Sequence, residues 1–407
     1  MDFTDTPEDA EFRAEVRGWL TANAEEKKPG AIYKAKYGEV ALIPLSQEWQ
    51  TKKFKAGFSG ITTPLEYGGR GGTQIQQAIY DQEEVNFLVP RHIGSGIPLV
   101  IPTLLVYAKE EDKKQFIPEI LRSDKLWCQL FSEPSAGSDL GGIRTRSERD
   151  GDDWVINGQK IWTSNAQHAD LAILVTRSDP DAEKHKGLTY FYVDMKSPGI
   201  EVRPIKQISG MANFNEVFLT DVRIPDSQRL GEEGEGWRVA ITTLMNERVS
   251  SGARPAPDFE DIFGLARDLE IEDGPAIANA AVREKLAHWY IQARGVDLTR
   301  MRTLTAMSRG QTPGPENSIS KLVSAFKRQE ITLFGMDLMD MGGGLMSRET
   351  TPMRAVFQEA ALEAPSGRIA AGTDEILRNI IGERVLGLPR EVRVDKDKPF
   401  RDLPTCV

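Results

Sequence analysis

Phe131-Ser132-Glu133-Pro134-Ser135-Ala136-Gly137-Ser138-Asp139, followed by Gly158-Gln159-Lys160-Ile161-Trp162-Thr163-Ser164-Asn165, is the stretch whose reading decides this chain. The first segment is a loop of hydroxyls, small residues and glycine, so backbone N–H groups can approach an anionic or electron-rich ligand unobstructed. The second sets a flat indole beside two hydroxyls. Together they suit one face of a planar ring and its polar edge, which is what a bound flavin requires while it carries the redox chemistry. Either segment alone reads more simply as a glycine-rich turn or an ordinary sheet tryptophan.

Upstream, Thr6 can cap a helix, Pro7 suits its first position, and Glu8 and Asp9 sit at the positive end of its dipole. Phe12, Val16, Trp19 and Leu20 then share a face. Helix-like sequence continues to about Lys125, broken by Tyr67-Gly68-Gly69-Arg70-Gly71-Gly72, which reads as a plain loop because no βαβ unit surrounds it. From Leu126 to about Trp237 the pattern is that of strands: Leu171 to Val175, Leu188 to Val193, and Asn215 to Asp221 with an exit at Ile224-Pro225. Trp154-Val155-Ile156 runs into Asn157-Gly158, a hairpin signal. Gly231 to Gly236 has a phosphate loop's glycines, but its glutamates would repel phosphate, so it reads as a flexible linker.

Helical periodicity returns after Trp237, with Val282, Leu286, Trp289 and Ala293 as a core stripe. Ser308 to Asn317 separates that helix from one starting near Ser318, and Arg390 to Val407 is a polar tail read as a loose end or subunit contact. The chain therefore divides into an N-terminal helical domain (1–125), a middle β domain (126–237), a C-terminal helical bundle (238–390) and a tail (391–407).

With 407 residues, 40% apolar and 28% charged, the sequence describes a multidomain globular protein. A net charge of −10 and a pI near 5.2 argue against a nucleic-acid partner and require any anionic coenzyme to meet local basic groups. No apolar run approaches the roughly 18 residues of a membrane span. Met1 to Asp5 is no signal peptide, and a cytoplasmic location is the default expectation. Cys128 and Cys406 make no disulfide framework, and Cys128 reads as a small buried side chain. His92, His168, His185 and His288 are scattered, so no metal is expected.

Segments 131–139 and 158–165 resemble the flavin signature of the acyl-CoA dehydrogenases, and Gly372-Thr373-Asp374-Glu375-Ile376-Leu377-Arg378-Asn379-Ile380-Ile381 resembles that family's closing motif. The likeness keeps its order from about Pro7 to Leu388, and three separated motifs are far more specific than one. It implies an α+β multidomain fold: a helical N-terminal domain, a β-barrel-like middle domain and a C-terminal four-helix bundle. It also implies FAD, an acyl-CoA substrate, an electron-transfer flavoprotein as acceptor, and a homo- or hetero-tetramer. The implied reaction is α,β-dehydrogenation of the thioester to the 2-enoyl-CoA, a carboxylate removing the α-proton while the β-hydride passes to flavin N5.

In many family members the base directly precedes the closing Gly-Thr, where this chain has Ala371. A branch that includes the isovaleryl- and long-chain enzymes carries its glutamate before an arginine on the first helix after the β domain. Leu244-Met245-Asn246-Glu247-Arg248-Val249 matches that place, and the resemblance makes Glu247 the base. On a helix from Trp237 to Ser251, Thr243, Glu247 and Ser250 share a face, so one carboxylate stands among hydroxyls. The plainer reading of Glu247-Arg248 alone is a solvated ion pair.

The same resemblance assigns Gln129, Leu130, Phe131, Ser132, Trp162, Thr163, Ser164, Thr373 and Glu375 to the cofactor, and Ser138, Arg248, Ala371 and Gly372 to acyl-CoA. The Ala371 backbone N–H would donate to the thioester oxygen. Two departures concern the flavin diphosphate. The family's Arg-x-x-Phe-Gly segment has only a partial echo in Phe263-Gly264-Leu265-Ala266-Arg267, and Leu338 stands where a glutamine is expected, ahead of Met341 to Gly344. A second polypeptide in a heterotetramer would supply such contacts. Two other readings stay open: an oxidase or monooxygenase of the same fold, and a non-catalytic partner subunit.

Overall fold

The computed structural model describes residues 5–28, 33, 35, 39–250, 257–272, 274–309, 311, 314–392, 395 and 397–404, without the side chains of 247–250 and 307–308. The chain begins with α1 (Pro7–Asn23), β1 (Glu25–Glu26), α2 (Leu42–Lys55), α3 (Gln74–Glu84), β2 (Phe87–Leu88), α4 (Ile101–Tyr107) and α5 (Glu110–Arg122). Strands follow: β3 (Trp127–Leu130), β4 (Arg146–Asp150), β5 (Asp153–Ser164), β6 (Leu171–Arg177), β7 (Leu188–Asp194), β8 (Ile200–Ile205) and β9 (Phe214–Pro225). After them come α6 (Gly236–Ser250), α7 (Phe259–Asp268), the short pair β10 (Glu270–Ile271) and β11 (Gly274–Pro275), α8 (Ala280–Ser308), α9 (Asn317–Leu338), α10 (Val356–Gly367) and α11 (Asp374–Ile380). This is the expected order of helices, sheet and helices. No helix among the described residues is long and apolar enough to cross a membrane.

Contacts divide the chain into two compact units, one from the spans 1–34, 73–89 and 248–390, the other from 35–72, 90–247 and 391–407. In the first, Thr6 caps α1 by accepting the Asp9 N–H, and Phe12, Val16 and Leu20 are buried. α1 packs on α3, β1 pairs with β2, and α3 rests on α8. The α8 stripe of Val282, Leu286, Trp289 and Ala293 is buried as its periodicity requires. α9 is the hub of this unit, touching α7, α8, α10 and α11. It approaches α10 at Gly335, where a Cβ would lie 2.4 Å from the Phe357 ring, so only glycine allows the helices so close.

In the second unit the seven strands β3 to β9 form one curled sheet, ordered β3-β6-β4-β5-β9-β8 with β7 also on β6. β4 and β6 meet at a single pair, Arg146 and Arg177, so the sheet bends there and folds over its own core of Leu130, Trp154, Ile156, Leu174, Phe191, Val217 and Leu219. The other face of β6 and β7 packs Ile173, Val175 and Tyr190 against Phe116, Ile117 and Ile120 of α5 and Val239 and Ala240 of α6. Burial on both sides explains why β6 reads as a continuous apolar run.

Three expectations are corrected. Asn157-Gly158 is not a hairpin turn: β5 continues through it, Asn157 pairing with Arg146 of β4 and Gly158 with Leu219 of β9 across a register shift, and the turn lies at Gly151-Asp152. Gly158 is required instead by close approach, since a Cβ there would lie 2.4 Å from Thr145 Oγ1 and 2.7 Å from Thr145 Cα. The Gly231–Gly236 segment is fastened to β7, its Gly234 N–H donating to Thr189 Oγ1 at 3.2 Å. The tail is no loose end, for Phe400 and Arg401 donate backbone N–H groups to the carbonyls of Ala182 and Pro180, each at 2.9 Å. Phe400 is buried there, an apolar anchor in a polar stretch. Cys128 is buried, and Cys406 lies outside the described residues.

Candidate active site

β3 delivers the first segment. It pairs in parallel with β6, burying Leu130, and Phe131 beyond it packs edge-on against Tyr190 with ring centroids 5.7 Å apart. Gln129 and Ser132 are half-buried. The Ser132 carbonyl accepts the Ile161 N–H at 2.9 Å, which lays the two segments side by side. Lys160, fully buried, donates to the Phe131 carbonyl at 3.0 Å and to Glu133 Oε1 at 2.8 Å. Glu133 also accepts the N–H groups of Arg144 and Thr145 at 2.6 and 2.9 Å. Burial works to raise the Glu133 carboxyl, but the adjacent ammonium and these donors outweigh it and hold the group below the usual carboxylate range. Burial pulls Lys160 below the usual lysine range, with Glu133 opposing it.

The end of β5 is irregular. A register shift between Lys160 and Thr163 makes a bulge against β9, and Trp162 there adopts φ 61°, a left-handed conformation costing a non-glycine residue about 1–2 kcal/mol. The bulge turns the indole outward: it is 57% exposed, with Phe214 edge-on at 6.2 Å. Thr163 is buried, and its hydroxyl has no hydrogen-bond partner among the described residues, while its carbonyl accepts from Asn215 Nδ2 at 2.9 Å. Ser164 is half-buried. An exposed indole on strained backbone beside a sequestered free hydroxyl is an arrangement that folding alone gives no reason to keep.

Ser138 is exposed on the loop that continues into Asp139 and Gly141. On α6, Thr243 is buried and its hydroxyl lies 2.8 Å from Thr103 and 3.0 Å from Tyr190, so that face of the helix points into its own unit. Glu247, one turn on, has its backbone in α6, but its side chain and that of Arg248 lie outside the described residues.

In the other unit, Ala371 and Gly372 take consecutive left-handed conformations, φ 52° and 93°, and Lys321 donates to the Gly372 carbonyl at 2.5 Å. Thr373 caps α11 by accepting the Ile376 N–H at 3.3 Å, while Glu375 is exposed. Leu338 packs partly buried against the core around α9.

The structure thus brings Gln129 to Ser132 together with Trp162 to Ser164, and separately gathers Ala371 to Glu375 into one turn. The supporting pair Glu133 and Lys160 and the amide of Asn215 were missed in sequence. For Lys160 the signal was a charged residue at an inward position of an otherwise alternating strand.

Family models describing the acyl-CoA dehydrogenase N-terminal, middle and C-terminal domains match residues 6–124, 128–222 and 234–386. Acyl-CoA dehydrogenase FadE34 of Mycobacterium tuberculosis is 38% identical over 363 residues, 88% of this chain, which spans about half (48%) of that relative's length. Acyl-CoA dehydrogenase IpdE1 of the same organism is 36% identical over 391 residues, 94% of this chain and 98% of the relative. Among solved structures, one described as the Tcur3481-Tcur3483 steroid ACAD superposes with a TM-score of 0.82 at 27% identity, covering 96% of this chain and 100% of its own. With all three domain models matched in order on the fold described above, the chain belongs to the acyl-CoA dehydrogenase family of oxidoreductases.

Proposed function

We propose that this chain carries out FAD-dependent α,β-dehydrogenation of an acyl-CoA thioester with a bulky, polycyclic acyl group, with Glu247 as the base. The observation that carries it is the pairing of the exposed Trp162 indole with the unpartnered, buried Thr163 hydroxyl on strained backbone. These residues fit a flat, polar-edged ring: the indole covers a face, and the free hydroxyl meets an edge. When bound, FAD supplies the acceptor for the β-hydrogen and its electron pair.

The protein's own residues do the rest. The segments Gln129 to Ser132 and Trp162 to Ser164, with Thr373 and Glu375, hold and orient the cofactor. Ser138, Arg248 and Gly372 hold acyl-CoA. Glu247 takes the α-proton, and the Ala371 N–H donates to the thioester oxygen as negative charge gathers there. The polycyclic acyl group is supported by the steroid named for the structural relative.

Anaerobic titration of the yellow protein with straight-chain, branched and steroid acyl-CoA thioesters tests the proposal. Loss of flavin absorbance with the steroid thioester and not with the others is expected. Rapid oxygen consumption in air would favour the oxidase reading over transfer to an electron-transfer flavoprotein.

A second reading rests on Leu338. Its side chain is committed to the apolar core of its own unit, where the resemblance expects a polar contact to the diphosphate. That supports a heteromeric assembly in which a partner chain completes the cofactor site, and flavin occupancy of the chain purified alone against that of a co-expressed pair tests it.

A further inference from the structure

The tail lies against the loop between β6 and β7 through the Ala182 and Pro180 hydrogen bonds, a bridge pairing Glu183 with Pro399, and an Arg401–Asp181 ion pair. Its one buried aromatic, Phe400, receives the Arg177 guanidinium 3.6 Å above its ring centroid. Arg177 is itself buried, 4% exposed. Its Nη2 donates to the Gly141 carbonyl at 2.6 Å and its Nη1 to the Lys184 carbonyl at 2.8 Å, while its Nε has no hydrogen-bond partner among the described residues. Lys184 in turn bridges Asp139 at 2.7 Å and Asp395 of the tail at 2.9 Å. The tail, the loop before β7 and the 139–141 turn are therefore one connected cluster, and Ser138 is the next residue along.

We propose that the tail is a clamp that positions the Ser138–Gly141 turn for acyl-CoA, with Phe400, Arg177 and Lys184 as positioning residues. It rests on the reading of Ser138 as an acyl-CoA contact. Charge and cover hold the cluster together. A buried guanidinium with one idle N–H is tolerable while an aromatic face shields it, because a desolvated cation–π contact is worth more than an exposed one. Without Phe400, water reaches Arg177 and competes for it with the Gly141 carbonyl. Without Asp395, Lys184 keeps one carboxylate of its two and holds Asp139 less firmly. None of the cluster's contacts described above involves the Trp162 bulge, so its loss should alter thioester binding and leave kcat alone.

The test uses the flavin-loaded full chain with Phe400→Ala and Phe400→Tyr, and a chain ending at Arg390. Amide exchange is followed at Gly142 and Ile143, whose N–H groups donate to the carbonyls of Asp139 and Leu140. Phe400→Ala and the truncation should exchange these amides about tenfold faster and raise the KM for acyl-CoA about tenfold, with kcat and flavin occupancy unchanged. Phe400→Tyr, which keeps the ring face, should restore both. Unchanged exchange in both disrupted variants overturns the clamp, and faster exchange with an unchanged KM overturns its positioning role. If the unaltered chain binds no acyl-CoA thioester, the reading of Ser138 fails, and the exchange result decides the clamp by itself.

Discussion

Lys160 Nζ lies 2.8 Å from Glu133 Oε1 with both side chains buried, so one ion pair joins the strand that carries Trp162 to the loop that carries Ser138. Breaking a buried pair leaves a bare charge and typically costs about 3–5 kcal/mol, more than the pair itself contributes. Lys160→Met should lower the stability of the apoprotein by that order in urea unfolding. The double variant Lys160→Met with Glu133→Gln should recover part of the loss, since no charge is then stranded. A single variant that unfolds at the unaltered midpoint would mean that the pair is wetted in solution.

Thr163 separates folding from binding. Its buried hydroxyl is unpartnered, so Thr163→Val removes an unsatisfied group and should leave the apoprotein at least as stable, by up to about 1 kcal/mol. If that hydroxyl meets the flavin edge as proposed above, the same change removes their hydrogen bond, and flavin should bind about five- to tenfold more weakly by fluorescence titration. Flavin affinity equal to that of the unaltered chain would remove Thr163 from the site.

Asp226 gives the sheet an acid-sensitive tie. Its carboxyl is held down at about 2, first by the hydrogen bond from Arg229 at 2.9 Å, against burial acting upward, with the Trp154 indole N–H at 2.8 Å adding to the effect. A folded value below the unfolded one, about 3.9, means the contribution is complete above about pH 4 and is lost as pH falls through about 2. Asp226→Asn should be less stable at neutral pH and should show a flatter decline between pH 4 and 2. Parallel stability curves for the two proteins over that window would contradict it.

Glu247 carries the chemistry proposed above. Glu247→Gln should yield a yellow, folded protein that binds thioester but turns over about 10²–10⁴ more slowly, the usual loss when a general base is removed. Stopped-flow reduction of the flavin measures this directly. Full reduction at the native rate would place the base on another residue.

The Gln129–Ser132 and Trp162–Ser164 segments could be singled out in the sequence as a candidate flavin surface because their information is compositional: small residues free a backbone, and an indole beside hydroxyls suits a ring with a polar edge. What they do to each other was not legible. Ile161 donating to Ser132, and Lys160 reaching both Phe131 and Glu133, depend on two strands lying next to each other. The Asn157-Gly158 dipeptide shows the same limit from the other side. Its local preference is a tight turn, but pairing to β4 and β9 carries the strand through it, and the close passage of Thr145 accounts for the glycine.

From the sequence by itself came the capped first helix at Thr6, the buried stripe of Val282, Leu286, Trp289 and Ala293, the strand runs from Leu171 and Leu188, and the order of helices, sheet and helices. These are written in periodicity and end signals spanning a few residues, and burial enforces them wherever the segment lands. Tertiary structure alone decided the strain at Trp162, the idle hydroxyl of Thr163, the buried ion pair and the docking of Phe400 over Arg177. Each of those needs a partner far away along the chain, and no local pattern encodes which distant group will arrive or how closely it will approach.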